Sequence, residues 1–176
     1  IMISLITLTG GRPDSFRMLE AFMKRQTWKR GPIEWLVVDD CDPPTVCTLG
    51  QKYIRGPRPW EPGMNTQRFN MEAALSHIKG SIIFILEDDD FYHKHYIQVM
   101  LDELHHTEVV GIGNAKYYNV RVPGYKYLRN YVHAAMSMTA FHVKHLPILK
   151  QAVDSGEFFF DAYFWRKVLD TRVPFT

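Results

Sequence analysis

Four consecutive carboxylates, Glu87, Asp88, Asp89 and Asp90, are the residues of this sequence best suited to chemistry. They directly follow Ile82–Leu86, an apolar run that predicts a strand buried on both faces of a sheet. Two carboxylates about 4 Å apart repel by roughly 4 kcal/mol at an effective dielectric of about 20, so this acidic cluster needs a cation, deep hydration or raised pKa values. Strand alternation places Glu87 and Asp89 on one face, and Asp88 and Asp90 on the other.

Either pair of carboxylates in the acidic cluster offers the oxygen ligands that Mg²⁺ and Mn²⁺ prefer. The sequence therefore predicts a divalent metal site at the end of this strand. The alternative is a solvated acidic turn that caps the following helix, because Asp is a favoured N-cap residue. Such turns are common, but they follow less often on a strand that is buried on both faces.

A second predicted strand, Ile33–Asp40, also ends in carboxylates. It is largely apolar up to Val38 and finishes with Asp39 and Asp40, and Gly31-Pro32 separates it from the preceding helix. In open parallel sheets, ligands bind outside the carboxyl ends of the strands. The two acidic strand ends therefore predict a single site at one edge of the sheet.

Hydrophobic periodicity predicts the elements that position these carboxylates. A β-prone run at 3–9 is followed by a helix that begins near Pro13, and helical spacing recurs around 71–78 and 97–104. This alternation of strands and helices favours an α/β sandwich with a mainly parallel sheet. Further along, the pattern predicts shorter strands, some of them antiparallel, and then two helices: strands at 109–112, 116–122, 125–131 and 136–143, helices around 145–153 and 161–170.

Two connecting segments stand out by composition. The Pro- and Gly-rich segment from Asp42 to Gly63 predicts a long loop with a short strand near 52–54, and loops of this length tend to be functional or mobile. The pair Pro123-Gly124 predicts a hairpin turn.

Composition describes a folded, water-soluble chain. Its 176 residues allow one well-buried core and are few for two domains, so 1–176 is expected to be a single domain. Hydrophobic residues make up 46% and charged residues 23%, and no apolar run is long enough to span a membrane. The two cysteines, Cys41 and Cys47, are too few for a disulfide framework, and we expect free thiols in a reducing cytoplasm.

The net charge of +2 does not by itself imply a nucleic-acid partner, but one segment is distinctly basic. Between Lys116 and Lys150 the chain carries six Lys and Arg residues, no Asp or Glu, and several interleaved tyrosines. A surface of this composition grips phosphate backbones or stacks on sugars and bases. The alternative is a strand-rich segment whose charges simply face solvent.

The first two-thirds of the chain resembles the family 2 glycosyltransferases of the GT-A fold, and the resemblance fades after about Leu104. Members of that family have a Thr-aromatic-Asn-Arg-Pro turn after the first strand, a Gln-Thr-aromatic sequence near the end of the first helix, a second strand that ends in Val-Asp-Asp, a helix with Asn and Ala-Ala, and an acidic DXD motif. The matching positions here are Leu8–Pro13, Gln26–Trp28, Val38–Asp40, Asn70 with Ala73-Ala74, and Ile85–Asp90.

This resemblance implies a three-layer, Rossmann-like GT-A sandwich with a small antiparallel C-terminal part. It further implies a donor half, 1–104, that binds a nucleoside-diphosphate sugar, most simply a UDP-sugar, and an acceptor half, 105–176. Asp89 would bind Mn²⁺ or Mg²⁺ with help from Glu87 and Asp90. The donor would be held by Thr9, Arg12, Asp39, Asp40, Arg68 and Asp88.

Two departures from the family pattern bear on these roles. Gly10-Gly11 replaces the usual aromatic-Asn pair, so a stacking contact to the nucleotide base is either missing or supplied from elsewhere. Glu87 occupies the first position of the DXD motif, which leaves Asp89 as the clearer metal ligand.

Inverting sugar transfer also needs a general base beside the acceptor hydroxyl. The family places an acidic residue near the start of a late helix, where Asp161 is our first candidate and Glu157 the second. Helix capping is the alternative role for each of them.

The predicted function is therefore a metal-dependent inverting glycosyltransferase. Its acceptor is open: a glycan, a lipid-linked glycan or a modified base of phage-type DNA, the last suggested by the basic segment. The alternative from another class is a non-catalytic module that binds a nucleotide sugar or a divalent cation.

Overall fold

A six-stranded sheet forms the centre of the computed structural model, which describes residues 1–119 and 121–176. In chain order, the elements are β1 (Ile3–Thr9), α1 (Pro13–Lys24), β2 (Ile33–Asp39), β3 (Lys52–Arg55), α2 (Gln67–Leu75), β4 (Ile82–Leu86), α3 (Tyr96–Leu104), β5 (Val109–Gly111), β6 (Lys116–Asn119), β7 (Gly124–Tyr127), β8 (Thr139–His142), α4 (Leu146–Asp154) and α5 (Phe160–Asp170).

The order of strands in the main sheet is β3-β2-β1-β4-β8-β5. The first four of these strands are parallel to one another, whereas β8 runs antiparallel to both β4 and β5. Strands β6 and β7 form a separate antiparallel hairpin. The predicted α/β fold, with a mainly parallel sheet and a small antiparallel part, is therefore confirmed.

Helices cover both faces of the sheet, because its central strands are apolar on both sides. Helices α1 and α3 pack on the face to which Phe84 points, while α2, α4 and α5 pack on the face to which Ile83 and Ile85 point. Every residue of β4 is buried. The result is the three-layer arrangement expected from the sequence.

The register of β1 against its neighbours positions the functional residues. Thr7 pairs with Leu86, the last residue of β4, so β1 extends two residues further and brings Thr9 level with the acidic cluster. The same Thr9 pairs with Asp39 on β2. Gly80 lets β4 enter this close to β1, because a Cβ atom there would lie 2.4 Å from the backbone nitrogen of Ser4.

Three predicted strands differ from the observed ones by more than one residue at an end. Residues 136–138 form a 3₁₀ turn before β8, since the backbone N–H of Met138 donates to the carbonyl of Ala135. The strand predicted at 125–131 ends at Tyr127, because the chain then turns so that the N–H of Asn130 donates to the carbonyl of Gly113. The strand predicted at 116–122 is seen up to Asn119, and the rest of that prediction includes residue 120, outside the described residues.

Two further expectations concern the whole chain. None of the helices in the described ranges is long and apolar enough to cross a membrane. Cys41 and Cys47 are both free thiols, as expected.

Candidate active site

Two buried tyrosines, Tyr92 and Tyr96, link the backbone at the start of the acidic cluster to Ser137. The backbone N–H of Glu87 donates to Tyr92 Oη at 2.9 Å, and that hydroxyl donates in turn to the carbonyl of Ser137 at 3.3 Å. Tyr96 Oη donates to the same carbonyl at 3.2 Å. Burial raises the pKa of Tyr92 well above its ordinary value, so its hydroxyl stays protonated and the cluster keeps a fixed backbone position.

Asp88 faces inward and connects the acidic cluster to the loop after β1. Thr9 Oγ1 donates to Asp88 Oδ2 at 2.6 Å, and the guanidinium of Arg12 lies 2.7 Å from Asp88 Oδ1. The other guanidinium nitrogen of Arg12 lies 3.0 Å from the exposed carboxylate of Asp89. Burial raises the pKa of Asp88, whereas the hydrogen bond from Thr9 and the charge of Arg12 lower it.

Glu87 and Asp89 line one small cavity together with Arg12, in the turn that follows β4. The pKa of Glu87 is raised from 4.5 to about 7, chiefly by burial and then by the charges of Asp90 and Asp89, while Arg12 lowers it. Burial also raises the pKa of Asp90, against a hydrogen bond from Ser137. Negative charge at this strand end therefore exceeds what the guanidinium of Arg12 balances.

A larger cavity of about 600 Å³ lies beside the acidic cluster, at the carboxyl ends of β1 and β2. The cavity is surrounded by the loop after β1, by the 60–67 segment and by two exposed phenylalanines that precede α5. Its lining residues are Leu8, Thr9, Gly10, Gly11, Arg12, Asp40, Cys41, Trp60, Met64, Asn65, Thr66, Gln67, Asn70, Phe158 and Phe159.

Asp40 lines this larger cavity, but Asp39 does not. Asp40 Oδ2 accepts hydrogen bonds from Thr66 Oγ1 at 2.5 Å and from Asn70 Nδ2 at 2.7 Å. Asp39, which is fully buried, instead accepts from the backbone N–H groups of Cys41 and Thr45. Asp39 therefore shapes the following loop, and Asp40 is the carboxylate that lines the cavity.

Asp39, Asp40 and Cys41 also form the one group of three potential metal ligands within the described part of the chain, with ligand atoms within 4.8 Å of one another. Their hydrogen bonds, however, already occupy these atoms. Burial, and next the charge of Asp40, raise the pKa of the Cys41 thiol, which keeps it in the protonated form that binds metals poorly. We therefore interpret this group as a hydrogen-bonded cluster that fixes the wall of the larger cavity.

The two candidate bases, Asp161 and Glu157, have different surroundings. Asp161 lies in the first turn of α5, where the backbone N–H of Ala162 donates to its Oδ1 at 2.8 Å. Its charge contributes to the raised pKa of Glu87, so the two carboxylates are near enough to interact, although Asp161 lines neither cavity. Glu157 pairs with the guanidinium of Arg166 at 2.5 Å.

Arg68 is on α2 but does not line either cavity. Its guanidinium lies over the ring of Phe69, 4.4 Å from the centroid, and one of its nitrogens lies 3.2 Å from where a Cβ atom at Gly156 would be. The structure thus brings together the predicted residues Thr9, Arg12, Asp40 and Glu87–Asp90, with Asp161 nearby, and places Arg68 and Asp39 outside the cavity.

Sequence reasoning did not single out the aromatic walls of the larger cavity. Trp60 and the pair Phe158 and Phe159 are exposed, and they line the cavity from segments far apart in sequence. The Asn65 side chain joins these segments by donating to the carbonyl of Phe158 at 3.1 Å. The available signals were the Pro- and Gly-rich loop around Trp60 and the run of three aromatic residues before Asp161.

Comparison with known proteins identifies the family. The family described as Glycosyl transferase family 2 matches residues 17–171, which is most of the chain, and the protein therefore belongs to that family. The predicted family is thereby confirmed. A comparison with curated protein sequences found no significant match.

Solved structures share the fold at low sequence identity. Mannosyltransferase PcManGT from Pyrobaculum calidifontis, solved in complex with GDP-Man and Mn²⁺, superposes with a TM-score of 0.68 at 13% identity, covering 98% of this chain and 53% of that one. S. aureus TarS superposes with a TM-score of 0.65 at 15% identity, covering 94% of this chain and 33% of that one. TarS 1-349 in complex with UDP-GlcNAc superposes with a TM-score of 0.60 at 16% identity, covering 84% of this chain and 47% of that one.

These similarities establish the predicted GT-A fold. The chain spans only a third to about half of the length of the structures it matches.

The raised pKa of Glu87 predicts a pH-dependent loss of stability. Ionised Glu87 is more costly in the folded than in the unfolded protein, so stability is lost as pH rises from 4.5, the ordinary pKa, to about 7, the folded pKa. The free energy of unfolding of the Glu87→Gln variant, measured in EDTA, should therefore increase relative to that of the wild type by up to about 3 kcal/mol over that range.

Urea unfolding measures the difference in stability between the variant and the wild type. A range of about pH 4 to 8 covers both the protonated and the ionised form of the carboxyl group. Glu72→Gln, at an exposed position on α2, is the matched control and should show no such trend. A constant difference between Glu87→Gln and wild type across the range would contradict the prediction.

Proposed function

We propose that this protein is a metal-dependent, inverting glycosyltransferase that moves a sugar from a UDP-sugar to an acceptor hydroxyl. The observation that carries the proposal is the acidic cluster at the carboxyl end of β4, beside a cavity of about 600 Å³, with Asp161 near enough for its charge to act on Glu87. Such volumes are typical of small-molecule sites. The structural neighbours solved with UDP-GlcNAc and with GDP-Man and Mn²⁺ support a nucleotide-sugar donor.

The donor half, 1–104, would bind the nucleotide in the larger cavity. Trp60 supplies an exposed aromatic face on which a base can stack, a contact that Gly10-Gly11 cannot make. Thr9 and Asp40 offer polar groups to the ribose or base, and Arg12 offers a cation to the phosphates. The acceptor half, 105–176, would supply the base and the acceptor surface. Asp39 and Arg68 have no direct contact with the donor in this proposal.

The acidic cluster fits a divalent cation. Glu87 and Asp89 face one cavity with hard oxygen donors, and the raised pKa of Glu87 shows that their charge is incompletely balanced by Arg12. Asp89 and Glu87 would hold the metal, with Asp90 supporting them, while Asp88 is engaged by Thr9 and Arg12. A metal ion bound there supplies positive charge that stabilises the diphosphate leaving group.

The residues of the chain then perform the transfer as follows. Asp161 accepts the proton of the acceptor hydroxyl as the acceptor oxygen forms its bond to the anomeric carbon. The bond from that carbon to the diphosphate oxygen breaks, and its electron pair leaves with the diphosphate. Attack from the face opposite the leaving group inverts the anomeric configuration. Arg12 lies beside Asp88 and Asp89, where its charge can favour the departing diphosphate.

Neutralising the base tests the catalytic part of this proposal. Asp161→Asn should lower the rate of UDP release from a UDP-sugar, with water as acceptor, by about 10²- to 10⁴-fold, the usual contribution of a general base. Glu157→Gln is the matched control, and its rate should stay within about threefold of wild type because Glu157 is engaged by Arg166.

Equal rates for Asp161→Asn and wild type would contradict the assignment of the base. Intact binding of UDP with no turnover in any variant would instead favour the non-catalytic binding module.

The hairpin of β6 and β7 favours a second candidate, transfer to a modified base of DNA. Lys116 Nζ lies 3.8 Å from the ring centroid of Tyr125, and Tyr125 packs edge-on against Tyr127. Burial raises the pKa of Tyr117, and so do the charges of Asp90, Glu87 and Asp161, so Tyr117 is near enough to these carboxylates to interact with them. A basic, aromatic hairpin is suited to a polymer with phosphates and stackable rings.

Salt-dependent binding tests this second candidate. If the hairpin contacts the phosphate backbone, single-stranded DNA should bind at low salt, and Lys116→Ala with Lys126→Ala should reduce the slope of log K against log salt by about 1 to 2. Lys24→Ala with Lys29→Ala, two exposed lysines outside the basic segment, is the matched control. No binding of the wild type at low salt would exclude DNA as the acceptor.

A further inference from the structure

His133 lies against Asp161 in a way that the reaction outlined above does not use. Its Nε2 is 3.4 Å from Asp161 Oδ2, with 35% of the imidazole and 22% of the carboxylate side chain exposed. That nitrogen itself is shielded from solvent and has no hydrogen-bond partner among the described residues, because its approach to Asp161 does not meet hydrogen-bond geometry. A polar ring nitrogen in this state needs a partner, and the carboxylate is the one within reach.

The other ring nitrogen determines where the proton of His133 resides. Asn130 Nδ2 lies 2.7 Å from His133 Nδ1, and an amide N–H₂ is a donor only, so Nδ1 is the acceptor of that hydrogen bond. A neutral imidazole then carries its proton on Nε2, which points at Asp161. The Asn130 amide thus donates to the His133 ring, and the Nε2 atom of that ring lies 3.4 Å from the Asp161 carboxylate.

The backbone around His133 is closely fitted to the structure. A Cβ atom at Gly113 would lie 2.0 Å from the carbonyl oxygen of Asn130, so only glycine allows this approach. Ala134 is buried, and a Cβ atom at Gly111 would lie 2.8 Å from the Ala134 methyl group and 2.4 Å from the ring of Trp165 on α5. The loop that carries His133 is thus packed against the helix that carries Asp161.

We propose that His133 is a positioning residue for Asp161, an inference that rests on the proposed role of Asp161 as general base. The N–H of Ala162 donates to Asp161 Oδ1. The 3.4 Å separation between His133 Nε2 and Asp161 Oδ2 shortens to a normal hydrogen bond with a small movement, and the two contacts would then together fix the plane of the carboxylate. Each oxygen keeps a further lone pair, one of which would accept the proton of the acceptor hydroxyl.

Imidazole ¹⁵N NMR tests the hydrogen-bond chain without any assay of activity. In weakly alkaline buffer, His133, assigned by its absence from the spectrum of His133→Gln, should be the Nε2–H tautomer, and Asn130→Leu should shift it toward the Nδ1–H form. Asp161→Asn should move the Nε2 resonance. An Nδ1–H tautomer in the wild type, or a spectrum unchanged by both variants, would overturn the proposal.

Kinetics then separates positioning from a purely structural role. His133→Phe should lower kcat for UDP-sugar hydrolysis by about 10- to 100-fold, as expected for a misplaced catalytic group, with KM for the donor within about twofold. His133→Gln keeps an N–H donor and should restore most of the rate. His106→Phe, at an exposed histidine, is the matched control.

The double variant shows whether His133 acts through Asp161. In an Asp161→Asn background, His133→Phe should produce no further loss, because the group that it positions is already disabled. A further loss of similar size, or failure of His133→Gln to restore the rate, would overturn the proposal. If Asp161→Asn is as active as wild type, the base assignment itself fails, and the NMR result still decides whether the three side chains form the hydrogen-bond chain.

Discussion

The parallel pairing of β1 with β4 is the constraint on which the site depends. Because β1 continues two residues past the end of β4, Thr9 and Arg12 reach the acidic cluster, and Asp88 is held between them. That contact uses one carboxylate for structure and leaves Glu87 and Asp89 facing a cavity with excess negative charge. The buried hydroxyl of Tyr92 fixes the same turn from the other side.

The two helical layers make this concentration of charge tolerable. Burial of apolar side chains on both faces of the central strands stabilises the fold and offsets the repulsion within the acidic cluster. This arrangement is common where binding sites are built on parallel sheets. The larger cavity then opens at the carboxyl ends of β1 and β2, where the backbone is free to turn and where Asp40 is held by Thr66 and Asn70.

Much of the proposed donor side was predictable from sequence because its signals are local. Two apolar runs end in carboxylates, one at Asp40 and one at the acidic cluster, and this pattern predicts which strand ends form the site. The family resemblance supplies the order of the elements. The opposite orientations of Asp39 and Asp40 also follow strand alternation, but only the path of the 41–45 loop shows which of the two faces the cavity. Arg68 lies over the ring of Phe69 and outside the cavity, a position that sequence alone does not give.

The acceptor side was less predictable because its contacts join segments that are distant in sequence and irregular in structure. His133 approaches Asp161 only because the chain leaves β7 early and packs on Gly113. No periodicity marks that turn. Phe158 and Phe159 likewise look like core residues in sequence, yet both are exposed at the mouth of the larger cavity.

The most direct test of the account is calorimetric titration of the protein with UDP, first with Mn²⁺ and then with EDTA. We expect binding with Mn²⁺, no measurable binding in EDTA, and affinity lowered by about tenfold or more in Asp89→Asn, since the metal ligand carries a full charge. Asp170→Asn, at an exposed position late in α5, should bind as the wild type does. UDP binding that is equal in EDTA and in Asp89→Asn would contradict the proposed metal site, and the absence of binding by any nucleoside diphosphate would contradict the donor site as a whole.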